Sequence, residues 1–134
     1  MLSVSERPVI VLNVPDYLVV GSAHLFFDEI KGYLKAERPR IVFDFSAVRH
    51  LDSAGVRILL DCMEEVMKRN GDLKLAAISK RPATILELTK VDSLFEIFDF
   101  ASDAVQSFHE FTIPPFQAVE GLSEIASAET GNAI

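Results

Sequence analysis

Cysteine is nearly absent from this 134-residue sequence, since Cys62 is the only one. A single thiol can form no disulfide within the chain and no thiolate metal cluster, which fits a reducing compartment. The three histidines, His24, His50 and His109, lack the paired spacing of metal ligands. We therefore expect a protein without a metal or other cofactor, and we interpret Cys62 as a core residue on an apolar helix face.

Basic charge is also scarce. The chain has 13 Lys and Arg residues against 20 Asp and Glu residues, which gives a net charge of −7. Nucleic-acid grooves and anionic membrane surfaces require clustered cations, so neither nucleic acid nor membrane insertion is expected. No apolar run approaches the length that crosses a bilayer, and residues 1–14 lack a basic region followed by a long apolar core. The sequence thus favours a cytoplasmic protein whose partners are other proteins.

Catalytic motifs are missing as well. No glycine-rich loop of the P-loop or dinucleotide-binding type is present, which argues against nucleotide turnover. Ser53, Asp99 and His109 follow the order of an α/β-hydrolase triad, but Leu51 occupies the first glycine position of a nucleophile elbow. No second glycine-rich loop offers an oxyanion hole. We therefore interpret the protein as not an enzyme.

Short β-branched runs alternate with helical patterns along the chain. Strands are predicted at 9–14, 17–20, 41–45 and 73–78 and around 97–98. The first helix is predicted after Gly21 and Ser22, with Phe26, Ile30, Tyr33 and Leu34 on one face. Further helices are predicted from Ser53 to about Asn70 and from Pro82 through Leu88. The last helix is predicted from about Ser102, its N-cap, to Phe111. This alternation predicts an α/β fold: a mixed, mostly parallel sheet of four to five strands with helices packed against it.

The composition changes from Thr112 onward. Two consecutive prolines break the last helical pattern, and the remainder is rich in Ala, Ser, Glu and Gly. The sequence therefore predicts one domain over 1–111 and a C-terminal tail over 112–134 that is flexible or weakly docked. Apolar residues recur there at three-residue steps, which allows a short amphipathic helix that docks on the domain or on a partner.

The stretch from Leu51 to Leu60 is a strand-to-helix crossing. Asp52 and Ser53 lie at the helix start, where a side-chain oxygen can accept hydrogen bonds from first-turn amides. Gly55 lets another chain approach closely. Two interpretations of Ser53 remain open here. It is a helix cap, or it is a covalent switch, because a phosphate on its oxygen would face the helix amides and the positive end of the dipole.

With these elements placed, residues 8–111 resemble a STAS domain, the fold of bacterial anti-sigma factor antagonists and of sulfate-transporter cytoplasmic tails. The resemblance rests on the order of elements and on these stretches: Ile41-Val42-Phe43-Asp44-Phe45-Ser46, Leu51-Asp52-Ser53-Ala54-Gly55, Gly71 before a strand, and Ser93-Leu94-Phe95. It implies that Ser53 is phosphorylated by a partner that is both anti-sigma factor and serine protein kinase. Asp52, Ala54 and Gly55 would support the phosphosite. The unphosphorylated protein would bind the partner and free a sigma factor, which regulates transcription.

Partner contacts are predicted on the exposed face of the helix after Ser53, at Arg57, Asp61 and Glu64. A phosphatase, and a second copy in a homodimer, are further candidate partners. Two positions depart from the family pattern: Val19 stands where many antagonists carry an acid, and Ala54 replaces a second hydroxyl. The alternative within the same fold is a STAS subunit that docks constitutively on a transporter ATPase or a stress-signalling complex, with Ser53 only a helix cap.

Overall fold

A computed structural model describes residues 8–110 of the chain. Strands and helices alternate along it: β1 (Ile10–Asn13), β2 (Tyr17–Leu18), α1 (Ala23–Leu34), β3 (Arg40–Asp44), β4 (His50–Leu51), α2 (Ser53–Lys68), β5 (Asp72–Ala76), α3 (Lys80–Leu88), β6 (Ile97–Phe98) and α4 (Ala101–Glu110). A 3-10 helix, Asp92–Leu94, precedes β6. The predicted tail, 112–134, lies outside the described residues.

Four strands form one parallel sheet in the order β1-β3-β5-β6. The central strand β3 is apolar and buried from Ile41 to Phe43, as expected of a strand covered on both sides. Strands β2 and β4 form a separate parallel pair, in which Tyr17 lies opposite His50. The α/β class with a mostly parallel sheet is therefore confirmed. No sequence pattern predicts β4, because two residues are too few for a periodicity to show.

The main core lies between one face of the sheet and helices α1, α2 and α3. Phe26 of α1 packs edge to face on Phe43 of β3, with ring centroids 5.4 Å apart. Cys62 of α2 is fully buried in the same cluster, which confirms its interpretation as a core residue. Burial raises the pKa of the Cys62 thiol to about 12, so the side chain stays uncharged and unreactive.

Two details of the predicted helices are wrong. Tyr33 does not share the buried face of α1, because Leu34 takes the inward position one residue later and leaves the tyrosine half exposed. Ser102 is not the N-cap of α4. The helix begins at Ala101, and its first turn closes on the carbonyl of Phe100, which accepts hydrogen bonds from the amides of Asp103 and Ala104.

Helix α2 ends near the predicted stop. Asn70 adopts a left-handed φ of 59°, and the amide of Gly71 donates to the carbonyl of Val66 at 2.9 Å. A Cβ on Gly71 would collide with the carbonyl oxygen of Pro39. The glycine therefore lets the end of α2 pack closely against the segment that leads into β3.

Helix α4 covers the opposite face of the sheet through two buried cations. The Arg40 guanidinium donates to the carbonyl of Phe108 at 2.6 Å. The Lys74 ammonium donates to the hydroxyl of Ser107 at 2.7 Å, pairs with Glu96 at 3.0 Å and lies 4.2 Å from the centre of the Phe108 ring. Both cations thus have partners, as buried charges require.

Candidate functional site

The predicted phosphosite lies beyond the carboxyl edge of the main sheet. Strand β2 follows β1 after three residues, and β4 follows β3 after five, so the β2/β4 pair extends past that edge. Helix α2 starts at Ser53, two residues after β4 ends at Leu51. Loops and helix starts at this edge of a parallel sheet are common positions for functional side chains.

Asp52 caps helix α2. One carboxylate oxygen accepts hydrogen bonds from the amides of Ala54 at 2.9 Å and Gly55 at 3.2 Å, and the other accepts from the amide of Val20 at 3.0 Å. Ser53 is the first residue inside the helix. The interpretation of Ser53 as the helix cap is therefore wrong, because Asp52 holds that role.

The environment of Asp52 favours its charged form. The amide of Val20 makes the largest contribution in lowering the pKa of the Asp52 carboxyl, and the amides of Gly55 and Ala54 lower it further. Partial burial opposes this shift without reversing it. Asp52 is therefore a carboxylate at neutral pH, directly beside Ser53.

Gly55 fixes how closely α2 approaches β2. A Cβ on Gly55 would collide with the carbonyl oxygen of Leu18 and would lie 2.7 Å from Cδ1 of Leu51. The stretch that approaches Gly55 most closely is β2 of the same chain. Gly55 thus places the first turn of α2, and with it Ser53, against the β2/β4 pair.

The side chain of Ser53 is exposed, and its hydroxyl makes no hydrogen bond within residues 8–110. The amides of Ala54 and Gly55 are already bound to Asp52. A phosphate on Ser53 would therefore share these two amides with the Asp52 carboxylate. That it faces the helix amides stays a prediction.

The three residues predicted to contact a partner lie along α2. Arg57 is four residues after Ser53, and its Nε lies 3.6 Å from a carboxylate oxygen of Asp61, with the two side chains 78% and 42% exposed. Glu64 is exposed. An exposed ion pair contributes little to the stability of the fold. The side chains of Arg57 and Asp61 can therefore exchange this contact for one with a partner at little cost. Their role in partner contact stays a prediction.

Sequence reasoning missed the side chains that surround Asp52. Val20 is 76% exposed, and Tyr17 stacks on His50 with ring centroids 4.5 Å apart. Val20 lies 32 residues before Asp52 in the chain, so no local motif connects the two. In the sequence, Gly21 next to Val20 is a residue type that favours a turn; in the structure it adopts a left-handed φ of 89°.

An open cavity of about 630 Å³ adjoins the site, between β4 and α3. Its lining includes Asp52, an apolar floor and a rim of basic side chains, and consists of Val19, Arg49, His50, Leu51, Asp52, Lys80, Arg81, Pro82, Thr84 and Ile85. We call it the basic cleft. The acidic composition of the whole chain gives no hint of this local concentration of cations.

The hydrolase triad is not assembled. Ser53 lies past the carboxyl edge of the sheet, whereas His109 follows Phe108, whose carbonyl is bound by Arg40, the first residue of β3. Ser53 and His109 thus lie at opposite ends of the strands. Within residues 8–110, no group of three His, Cys, Asp or Glu side chains could hold a metal ion, and no helix is long and apolar enough to cross a membrane.

A sequence profile of the STAS domain matches residues 2–104. The chain belongs to the STAS domain family. A Thermotoga neapolitana protein and a Thermotoga maritima protein, both named "putative anti-sigma factor antagonist", are 29% and 28% identical to it over 104 residues. Each match covers 73% of this chain and 88% of the relative.

Solved STAS structures share the fold. An anti-sigma-factor antagonist domain from Planctomyces limnophilus superposes with a TM-score of 0.66 at 16% identity, covering 73% of this chain and 87% of that one. The Thermotoga maritima crystal structure gives 0.61 at 25% identity, covering 73% and 86%. The STAS domain of a Vibrio cholerae SulP transporter gives 0.62 at 14% identity, covering 84% and 88%. The fold is thus common to antagonists and transporter domains and does not by itself choose between them.

Proposed function

We propose that this STAS protein is an anti-sigma factor antagonist, a non-catalytic switch that acts in the cytoplasm and is set by phosphorylation of Ser53. With Ser53 unmodified, it binds a partner that is both anti-sigma factor and serine protein kinase, and transcription by the freed sigma factor follows. The names of the Thermotoga relatives support this function. The observation that carries it is the exposed, unbonded hydroxyl of Ser53 beside an aspartate that does the capping.

Phosphorylation would change charge without changing the fold. Phosphoserine carries about −1.5 to −2 charges, and Asp52 next to it is already ionised. A partner surface that fits a neutral hydroxyl would then face a bulky anion, so binding weakens through repulsion and desolvation. The helix start keeps its hydrogen bonds, because they belong to Asp52 and not to Ser53.

The partner surface surrounds Ser53. On one side it includes the exposed side chain of Val20, whose amide is tied to Asp52, and on the other side the predicted contacts Arg57, Asp61 and Glu64 along α2. Protein interfaces usually combine apolar contacts with charged ones, as this surface does. Ala54 and Gly55 support the site by supplying the amides that hold the Asp52 carboxylate.

Affinity capture from the host lysate with three baits tests this function. The baits are Ser53→Ala, Ser53→Glu and the matched control Ser102→Glu, which adds the same charge to another exposed serine in a helix first turn, on the opposite face of the sheet. We expect Ser53→Ala and Ser102→Glu to retain a kinase that Ser53→Glu loses. The retained kinase should transfer phosphate from ATP to the unmodified chain and not to Ser53→Ala.

Equal retention of the same proteins by all three baits, without phosphate transfer, would overturn the switch. It would support the alternative function, constitutive docking on a transporter ATPase or stress-signalling complex. The feature that favours this alternative is Val19, which stands where many antagonists carry an acid. In this alternative Ser53 has only a structural role, beside Asp52 as the N-cap of α2.

A further inference from the structure

The cations of the basic cleft lack partners. Within residues 8–110, the side chains of Arg49, Lys80 and Arg81 make no ion pair and no hydrogen bond. Five cations elsewhere are paired with carboxylates, namely Lys31, Arg57, Lys68, Arg69 and Lys74. Within residues 8–110, Lys35, Arg38 and Lys90 also make no ion pair, but none of them lines the basic cleft. In a chain with a net charge of −7, three unpaired cations around one cavity form a distinct positive surface.

Two of these cations occupy an unfavourable position. Lys80 and Arg81 are the first two residues of α3, whose first turn contains no acid, and the N-cap Ser79 makes no side-chain capping bond. The positive end of a helix dipole repels cations, so this arrangement opposes helix stability. Nothing among the described residues offsets it, and local rules broken without an internal gain are typical of functional sites. A bound anion would relieve the repulsion.

The shape of the cleft suits more than a small ion. Its floor is apolar, formed by Val19, Leu51, Pro82 and Ile85, and its volume is about 630 Å³. An apolar floor under a charged rim fits an occupant with an apolar body and anionic groups at its edge. A short acidic stretch of polypeptide with one aliphatic side chain has this chemistry.

We propose that the basic cleft binds an acidic peptide segment of a partner protein, with an aliphatic side chain on the floor and carboxylates against Arg49, Lys80 and Arg81. The inference rests on the proposed function in naming the partner as the one that Ser53 controls. Asp52 belongs to the cleft lining and Ser53 follows it, so a segment seated there lies beside the phosphosite. A phosphate on Ser53 would repel the segment's carboxylates and compete for the same cations.

A titration of the isotope-labelled protein, followed by amide chemical shifts, tests the cleft without any kinase. The probes are a synthetic pentapeptide, Glu-Asp-Leu-Glu-Glu, its neutral counterpart, Gln-Asn-Leu-Gln-Gln, and inorganic phosphate. We expect the acidic peptide alone to give saturable shifts at Arg49, Lys80, Arg81 and Thr84. Shifts confined to other surfaces, or equal shifts with phosphate alone, would overturn the proposal.

Two double variants separate the cleft from general charge effects. Lys80→Gln with Arg81→Gln should lower the affinity for the acidic peptide by about fivefold or more, as expected for the loss of two charged contacts. Lys31→Gln with Lys35→Gln removes the same charge from the last turn and C-cap of α1. This variant should change the affinity little, because the Lys31 pair is exposed. The cleft variant should melt at an equal or higher temperature, since it removes cations from the positive end of α3. Equal losses of affinity in the two variants would contradict a defined cleft.

The Ser53→Glu variant separates this inference from the proposed switch. If the switch and the cleft are both correct, Ser53→Glu binds the acidic peptide more weakly than Ser53→Ala does. If both bind it equally and only the cleft variant loses affinity, the cleft is supported and the control by Ser53 is contradicted. If no peptide binds while the kinase still discriminates the Ser53 baits, the cleft is overturned and the switch stands.

Discussion

The carboxylate of Asp52 binds the amide of Val20, 32 residues earlier in the chain, at 3.0 Å, while its other oxygen caps α2. One side chain thus ties the start of α2 to the loop that follows β2. Ser53, the next residue, is positioned without using its own hydroxyl. This division of roles lets Ser53 be modified at little cost to the fold.

Replacing Asp52 therefore affects stability much more than replacing Ser53. We expect Asp52→Ala to lower the free energy of unfolding by about 1–2 kcal/mol, because it removes the cap of α2 and leaves the amide of Val20 without its partner. Ser53→Ala should change it by less than about 0.5 kcal/mol. Urea unfolding followed by circular dichroism measures both. A larger loss for Ser53→Ala than for Asp52→Ala would contradict the assignment of the cap.

Asp52 also makes stability depend on pH. Its pKa in the folded state is lowered from 3.8, chiefly by the amide of Val20, so the unfolded chain binds the proton more readily than the folded one. The stabilisation is present above pH 3.8 and is lost as pH falls from there through the lower folded pKa. Asp52→Asn should remove this part of the acid sensitivity in unfolding curves measured across that range. If the variant lost stability with falling pH as steeply as the unmodified protein, the lowered pKa of Asp52 would be contradicted.

Asp72 makes stability depend on pH in the opposite direction. Burial raises the pKa of its carboxyl above 3.8 and outweighs the amide of Leu73 and the nearby Lys74, which lower it. Folding thus costs more once Asp72 ionises, so its contribution is most favourable below pH 3.8 and declines as pH rises through the folded pKa. Asp72→Asn keeps an oxygen for the Leu73 amide and should raise the melting temperature at neutral pH. A lower melting temperature there would contradict this account.

The glycines of α1 and α2 provide a matched pair. Gly55→Ala should lower the free energy of unfolding by about 3 kcal/mol or more, because the new methyl group meets the carbonyl of Leu18 and forces α2 away from β2. Gly32 in α1 has open space around it, so Gly32→Ala should raise stability by about 0.5–1 kcal/mol. Thermal or urea unfolding of the two variants measures the contrast. Similar effects at both positions would show that the close packing of α2 on β2 is not required.

The buried cations under α4 are not equivalent. Lys74→Met should change stability by less than about 1 kcal/mol, because Glu96 is exposed to water and the hydroxyl of Ser107 keeps its bond to Ala104. Arg40→Met should cost about 2–3 kcal/mol, because the buried carbonyl of Phe108 loses a charged donor. Urea unfolding gives both values. A greater cost at Lys74 than at Arg40 would contradict these contacts.

Patterns of adequate length predicted most of the fold. The runs that form β1, β3 and β5 and the helical stripes of α1 and α2 extend over several repeats, so periodicity identifies them. Strand β4 has two residues and no period. The charged residues Arg40 and Lys74 suggest outward-facing positions in their strands. Both side chains are nevertheless covered by α4, and only the tertiary packing shows this.

The candidate site was predicted only in part, because some of its features are local in the sequence and others come from tertiary packing. The Asp52-Ser53 step is a local signal, since both residues adjoin a helix start, but which of them caps it depends on the backbone angles of Asp52 and on the amide of Val20. The basic cleft joins β4 to α3, which are separated by 28 residues of chain between Leu51 and Lys80 and are brought together only by the fold. Local patterns therefore predict side chains at helix ends far better than surfaces built from separate elements.

The most direct measurement is the affinity of the captured kinase partner for the purified protein with and without phosphate on Ser53, determined by calorimetry. We expect phosphorylation to weaken binding by about tenfold or more, through charge repulsion at the exposed start of α2. The melting temperature should stay within about two degrees, because the Ser53 hydroxyl makes no hydrogen bond within residues 8–110. Equal affinities for the two forms would contradict the switch, and a weakened affinity accompanied by unfolding would contradict the separate roles of Asp52 and Ser53.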